Sequence, residues 1–128
     1  MAIRAQEGRW LEVEPITAAA NLAKDSFVNA DGSVPASAAA GYGVLANNDC
    51  ANGDTGDVVV MGVKVVVATG TCTKGTMCEI LQGTTTTKDG TNVTFAGVQN
   101  KAAGVAVGKL LSSGAAGDTV RVALSAIN

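Results

Sequence analysis

Two segments of this chain share a pattern that strongly constrains its fold. They are residues 43–63 and 104–124, and they agree without a gap at six of 21 positions. Each runs from an apolar stretch through a polar loop and a Gly-Asp pair into a second apolar stretch. Similar segments at a fixed spacing are typical of an internal duplication. The pattern predicts a β-strand, a glycine-containing turn and a second β-strand, used twice. The identical pairs are Gly43 and Gly104, Val44 and Val105, Gly53 and Gly114, Gly56 and Gly117, Asp57 and Asp118, and Val59 and Val120.

The rest of the chain repeats this alternation of short strands and turns. Turns rich in Gly, Asn and Asp recur about every 8–12 residues, which favours an antiparallel sandwich or barrel. The predicted fold class is therefore all-β: a small antiparallel β-barrel or sandwich with hairpin repeats and an extended N-terminal segment. We expect residues 1–25 to form an N-terminal arm or extension and residues 26–128 to form the β-domain. Residues 17–25 are compatible with either a short helix or a loop.

One long apolar run, residues 57–68, predicts the most buried strand. It is rich in valine and does not alternate, as expected for a strand buried on both faces. Gly62 lies in its middle and predicts a bulge or a corner. Two Asp-Gly pairs predict further hairpins, at Asp31-Gly32 and at Asp89-Gly90.

The composition argues against several kinds of chemistry. The chain has no histidine, which removes the usual catalytic base and the commonest metal ligand. Cys72 and Cys78 have no second pair and do not form a zinc signature. We expect free thiols, although a bridge between these two stays open. No cofactor and no enzymatic activity are predicted.

The loop between Asp49 and Asp57 concentrates oxygen ligands of the kind that Ca²⁺ prefers. It lacks the spacing of a known calcium loop, and a polar turn is the simpler interpretation. Whether the loop binds an ion stays open at this point.

Charge and hydropathy indicate which partners to expect. The net charge is −2 and the basic residues are scattered, so no nucleic-acid partner is expected. No apolar run approaches the ~18 residues of a membrane span, and no membrane association is expected. The start of the chain lacks the apolar centre of a signal peptide, so synthesis in the cytoplasm is expected.

The order of several motifs resembles a known family. The motifs are FVNADGSV at residues 27–34, GVLANN at 43–48, GDVVVMGV at 56–63, and GVAV at 104–107 with AGDTVRVAL at 116–124. Together they resemble the small capsid decoration, or cement, proteins of tailed bacteriophages. More narrowly, the chain is similar to a small β-rich family of formerly unknown function found in phage head-gene clusters.

This resemblance implies a structural virion protein. Such a protein binds the outer surface of the phage capsid, as a homotrimer, and stabilises contacts between major capsid proteins. The family has no catalytic residues to transfer to this chain. Residues 1–25 have no clear counterpart in the family pattern.

We expect the N-terminal segment to contact a partner chain by adding a strand to it. The candidate partner-binding residues are Trp10, Leu11, Val13 and Ile16. Trp10 would be the anchor, although it could instead cover one end of its own barrel. Two other functions stay open: a carbohydrate-binding or other surface-binding β-module, and a tail or head-completion component.

Overall fold

A computed structural model describes residues 8–86, 90 and 92–124 of the chain. These residues form eight β-strands and no helix, which confirms the all-β prediction. The strands are β1 (Trp10–Thr17), β2 (Phe27–Val28), β3 (Gly43–Leu45), β4 (Thr55–Val67), β5 (Met77–Thr86), β6 (Asn92–Asn100), β7 (Gly108–Leu110) and β8 (Thr119–Leu124).

Seven of the strands close into an antiparallel barrel. Their order is β4-β3-β2-β6-β5-β7-β8, and β8 pairs again with β4. Strand β1 lies outside this ring and pairs with β4 alone among the described strands. The barrel prediction is confirmed, and closure satisfies the edges that an open sheet would leave unpaired.

Gly62 forms the corner at which β4 changes partners. The part of β4 before Gly62 pairs with β1 and β3, and the part after it pairs with β8. Gly62 itself is the partner of both Trp10 and Leu124. Its φ of +114° lies in a region open mainly to glycine, and the register of β1 shifts beside it. The predicted bulge or corner is therefore confirmed.

The long strand β4 is buried on both faces, as predicted. Val59 and Val66 lie in the larger hydrophobic cluster, which fills the barrel. Val58 and Val60 point the other way, into a second cluster that includes Leu45. Side chains alternate along a strand, so a two-sided core needs the continuous apolar run seen in the sequence.

Four turns of one shape connect the strands. The third residue of each has a positive φ, between 62° and 95°, as in a type II turn, where glycine is preferred. In three of them the last N–H donates to the first carbonyl, at 2.9–3.2 Å. The turns span residues 23–26, 51–54, 73–76 and 115–118, and their third residues are Asp25, Gly53, Gly75 and Gly117. No helix forms in residues 17–25, which end in the first of these turns.

The duplication is real, but the predicted offset of 61 residues is wrong. Leu45 pairs with Val58 in the first copy, and Leu110 pairs with Val122 in the second. The offset is therefore 65 residues from Leu45 to Leu110 and 64 residues from Val58 to Val122. The sequence match was misleading because Gly-Asp occurs twice in the first copy, at residues 53–54 and 56–57. Of these two glycines only Gly53 has a positive φ, as does Gly117, its counterpart in the second copy.

The repeated unit is also longer than predicted. Thr17 pairs with Thr55 as Val67 pairs with Thr119. The first unit therefore comprises β1, β2, β3 and β4 up to Gly62, and the second comprises the rest of β4 with β5, β7 and β8. Strand β6 has no counterpart in the first unit, and it closes the barrel by pairing with β2 and β5.

The two predicted Asp-Gly hairpins have different outcomes. Residues 29–33 form a tight turn in which the N–H of Asn29 donates to the carbonyl of Ser33, but residues 33–36 do not form the predicted second strand. Strand β2 pairs instead with β3, which begins at Gly43. The second hairpin forms, between β5 and β6. Asp89 of its predicted turn lies outside the described residues.

Candidate interaction surface

The four candidate partner-binding residues lie at the N-terminal strand β1 but differ in exposure. Leu11 is 60% exposed and Val13 is 37% exposed. Ile16 is buried in the second hydrophobic cluster. Trp10 is half-buried and packs against the barrel core. The strand thus presents Leu11 and Val13 to solvent and uses Trp10 and Ile16 to pack on its own chain.

A buried ion pair lies beside Trp10. The ammonium of Lys64, whose side chain is fully buried, is 2.6 Å from the carboxylate of Asp25. It also donates to the carbonyl of Val65 at 2.9 Å, and it lies 5.6 Å from the centroid of the Trp10 ring, within cation–π range. The pair joins the first turn to the corner strand β4 and to β1.

Sequence reasoning missed this pair, although it left a signal. Lys64 is the only charged residue in the run from Val58 to Ala68. A charge in a strand buried on both faces needs a partner, because each unpaired buried ion costs several kcal/mol. The partner, Asp25, stands where the three other turns have glycine. An aspartate at a turn position that favours glycine was therefore the second indication of this pair in the sequence.

Glu79 organises a loop on the opposite side of the barrel. Its Oε1 accepts hydrogen bonds from the backbone N–H groups of Ala102 and Gly104, both at 2.8 Å. Its Oε2 accepts one from the side-chain amide of Gln99 at 3.1 Å. These donors hold the pKa of the carboxyl below its ordinary value of 4.5, and the N–H of Ala102 has the largest effect.

We expect Glu79→Gln to be less stable than the native protein at neutral pH and to approach it in acid. A carboxyl with a depressed folded-state pKa contributes stability that is fully present above its unfolded pKa. That contribution is lost as the pH falls through the folded-state pKa, below 4.5. Urea unfolding at several pH values measures the difference, and hydrogen exchange at the Ala102 and Gly104 amides should accelerate in the variant. The exposed Glu12→Gln is the matched control. A stability gap that persisted unchanged in acid would contradict this role.

The three cysteines are free and buried. Burial raises the pKa of the Cys72 thiol to about 11 and that of Cys78 to about 12. The pKa of Cys50 is raised by burial and by the neighbouring carboxylates of Asp54, Asp49 and Asp57. Thiols in this state are poor nucleophiles, and the bridge that the sequence left open is not formed.

The acidic loop forms a shallow cleft with a volume of about 390 Å³. Asp49, Asp54 and Asp57 line it, and two of them accept backbone hydrogen bonds: Asp49 from Lys24 and Asp54 from Ala51. Within residues 8–86, 90 and 92–124, no cluster of three metal-ligating side chains is found. The same residues contain no helix long and apolar enough to cross a membrane.

Comparison with known proteins rests on the fold. No protein-family model matches the chain, and no curated protein matches its sequence. The architecture defines its class, a small closed antiparallel β-barrel with one added strand. A solved structure of similar fold is the N base of the head fiber gp8.5 in bacteriophage phi29. It is 18% identical, the alignment covers 90% of this chain and 94% of that chain, and the TM-score is 0.58. The two proteins therefore share a fold.

Proposed function

We propose that this protein is a structural component of a bacteriophage head, acting without catalysis. In this proposal it binds the outer surface of the capsid, as a homotrimer, and stabilises contacts between major capsid proteins. The observation that carries the proposal is the likeness to the N base of a phage head fiber, which extends over nearly the whole of both chains. The order of motifs that resembles phage decoration proteins supports it independently.

The barrel suits such a role physically. It is closed and its core is filled, so it can act as a stiff base. Strand β1 remains as an added strand with one partner among the described strands, and an edge strand is a ready site for contact with another chain. Pro15 lacks an N–H and limits such pairing to the part of β1 before it.

In this proposal Leu11 and Val13 contact the capsid, whereas Trp10 and Ile16 support β1 from behind. The two contact residues are exposed, and large exposed apolar side chains on an edge strand commonly become buried in an interface. Substituting them leaves both hydrophobic clusters intact, because neither cluster contains them.

The test uses phage heads that lack this protein, mixed with the purified chain. We expect co-sedimentation with the heads and a rise in the temperature at which the heads release their DNA. Leu11→Asp with Val13→Asp should weaken binding by about a hundredfold or more, since it buries two unpaired charges. Val105→Asp is the control, because Val105 is similarly exposed, at 44%, and its N–H donates to the carbonyl of Ala38, whereas β1 pairs with β4. Absence of native binding to any head preparation would refute the function. Equal loss in the control would refute the assignment to β1.

A further inference from the structure

One outward face of the second unit carries a row formed by Met77, Lys109 and Ala123. Met77 pairs with Lys109, and Lys109 pairs with Ala123. Side chains directly opposite each other on neighbouring strands lie on the same face. The row points away from the barrel because the adjoining residues along each strand lie in the core: Cys78, Leu110 and Val122.

Two more cations complete this surface, which we call the basic face. The N–H of Lys101 donates to the carbonyl of Met77 at 2.9 Å. Arg121 lies two residues before Ala123 on β8 and therefore on the same side. Met77 is 44% exposed in their midst. The neighbouring Glu79 is buried and bonded to the 101–104 loop. The basic face consists of Met77, Lys101, Lys109, Arg121 and Ala123.

The corresponding face of the first unit is a buried interface. Its residues lie in the barrel core and are at most 2% exposed, because the second unit covers them. In the first unit this face is therefore buried against the second unit. In the second unit the corresponding face remains exposed. The corresponding pairs are Phe27 and Met77, Val44 and Lys109, and Val59 and Ala123.

The two units carry opposite charge. Residues 8–62 contain seven acidic and two basic residues, whereas residues 63–124 contain three acidic and six basic residues. The buried pair of Asp25 and Lys64 removes one charge from each side and leaves the opposition in place. Corresponding positions differ in sign as well: Asp57 of the first unit is the counterpart of Arg121, by the offset of 64 residues that the strand pairings define.

We propose that the basic face docks on the acidic first unit of a second copy of this chain, so that copies associate head to tail. Lys101 and Lys109 would meet the exposed carboxylates of Asp49 and Asp57, and Met77 would be buried at the centre. Because the two contacting surfaces differ, the interface is heterologous and can close into a ring. A homotrimer requires an interface of this type. The inference concerns the free protein and stands apart from capsid binding and from Leu11 and Val13.

The test is the mass of the free protein, measured by light scattering after size exclusion in low salt. The native chain of 12.7 kDa should run as a multiple of that mass and dissociate as salt is raised. Lys101→Glu with Lys109→Glu should weaken association by about a hundredfold, because like charges then face each other. Asp49→Lys with Asp57→Lys should do the same. An equimolar mixture of these two monomeric variants should associate in a one-to-one ratio, since the reversed surface of each variant is complementary to that of the other.

The control reverses a lysine that lies outside both contacting surfaces. Lys74→Glu reverses one charge at an exposed turn position and should leave the oligomer intact, whereas Lys109→Glu alone should weaken it. Circular dichroism confirms that each variant remains folded. A native chain that stays monomeric at about 100 µM, where an interface of micromolar affinity would be saturated, overturns the inference. So does a mixture of reversed variants that remains monomeric. Neither result bears on head binding, which is measured separately.

Discussion

Replacement of Lys64 by methionine should lower the free energy of unfolding by about 3–5 kcal/mol, because it leaves the buried Asp25 carboxylate without its partner. Lys64 is fully buried, and its ammonium is 2.6 Å from that carboxylate. Urea unfolding followed by the fluorescence of Trp10, the single tryptophan, measures the change at the site of the substitution.

The double variant Lys64→Met with Asp25→Gly should recover most of this loss. It removes both charges from the core, and replacing a buried ion pair by neutral residues is often neutral or stabilising. Glycine also relieves the φ of +62° at position 25 and is the residue found at the same position of the other three turns. Lys24→Met is the control at an exposed lysine, with a change expected within about 0.5 kcal/mol. A double variant no more stable than Lys64→Met would show that the pair does not act through charge.

Gly62→Ala should destabilise the protein by about 3 kcal/mol or more, because the new methyl group needs both an unfavourable backbone and space that is occupied. A Cβ at position 62 would clash with the carbonyl oxygen of Arg9 and lie 2.8 Å from the backbone nitrogen of Leu11. The clash acts on β1, so the emission of Trp10 should shift to the red as the strand loosens. Urea unfolding and the emission spectrum test both effects.

The matched control for this substitution is Gly75→Ala. Gly75 also has a positive φ, +93°, but no atom other than those of Gly75 and its two chain neighbours lies within 4 Å of its added Cβ. It should lose only about 1–2 kcal/mol, the cost of a left-handed conformation for alanine. Equal losses in the two variants would mean that the contact with β1 contributes nothing and that Gly62 is required for its φ alone.

Local sequence patterns were sufficient for the long strand β4 and its corner, but not for every hairpin, since residues 33–36 form no strand after the turn at Asp31-Gly32. The almost continuous apolar run around Val59 is typical of a strand buried on both faces, and Gly62 within it indicated a distortion. The register of the duplication was not predictable in the same way. Two Gly-Asp pairs compete in the first copy, and the choice between them depends on φ at Gly53 and on strand pairing.

The candidate surface was predicted only in part. An exposed edge strand with Leu11 and Val13 could be inferred from its position and pattern, but the burial of Ile16 could not. The basic face was missed because Met77, Lys101 and Lys109 are far apart in the chain and meet only through the pairing of β5 with its neighbours. Single lysines far apart in a sequence do not show that their side chains lie on one surface.

The sequence by itself determined that this chain is an all-β protein with a repeated strand-turn-strand unit, because period, turn residues and β-branched runs act within a few residues of one another. Tertiary structure alone decided which face of each unit is buried, since that depends on how the units stack. Phe27, Val44 and Val59 of the first unit are covered, whereas their counterparts Met77, Lys109 and Ala123 lie on the outer face of the second unit. It also decided that Asp25 and Lys64, 39 residues apart, form one buried pair, because the long-range closure of the barrel brings the first turn against β4.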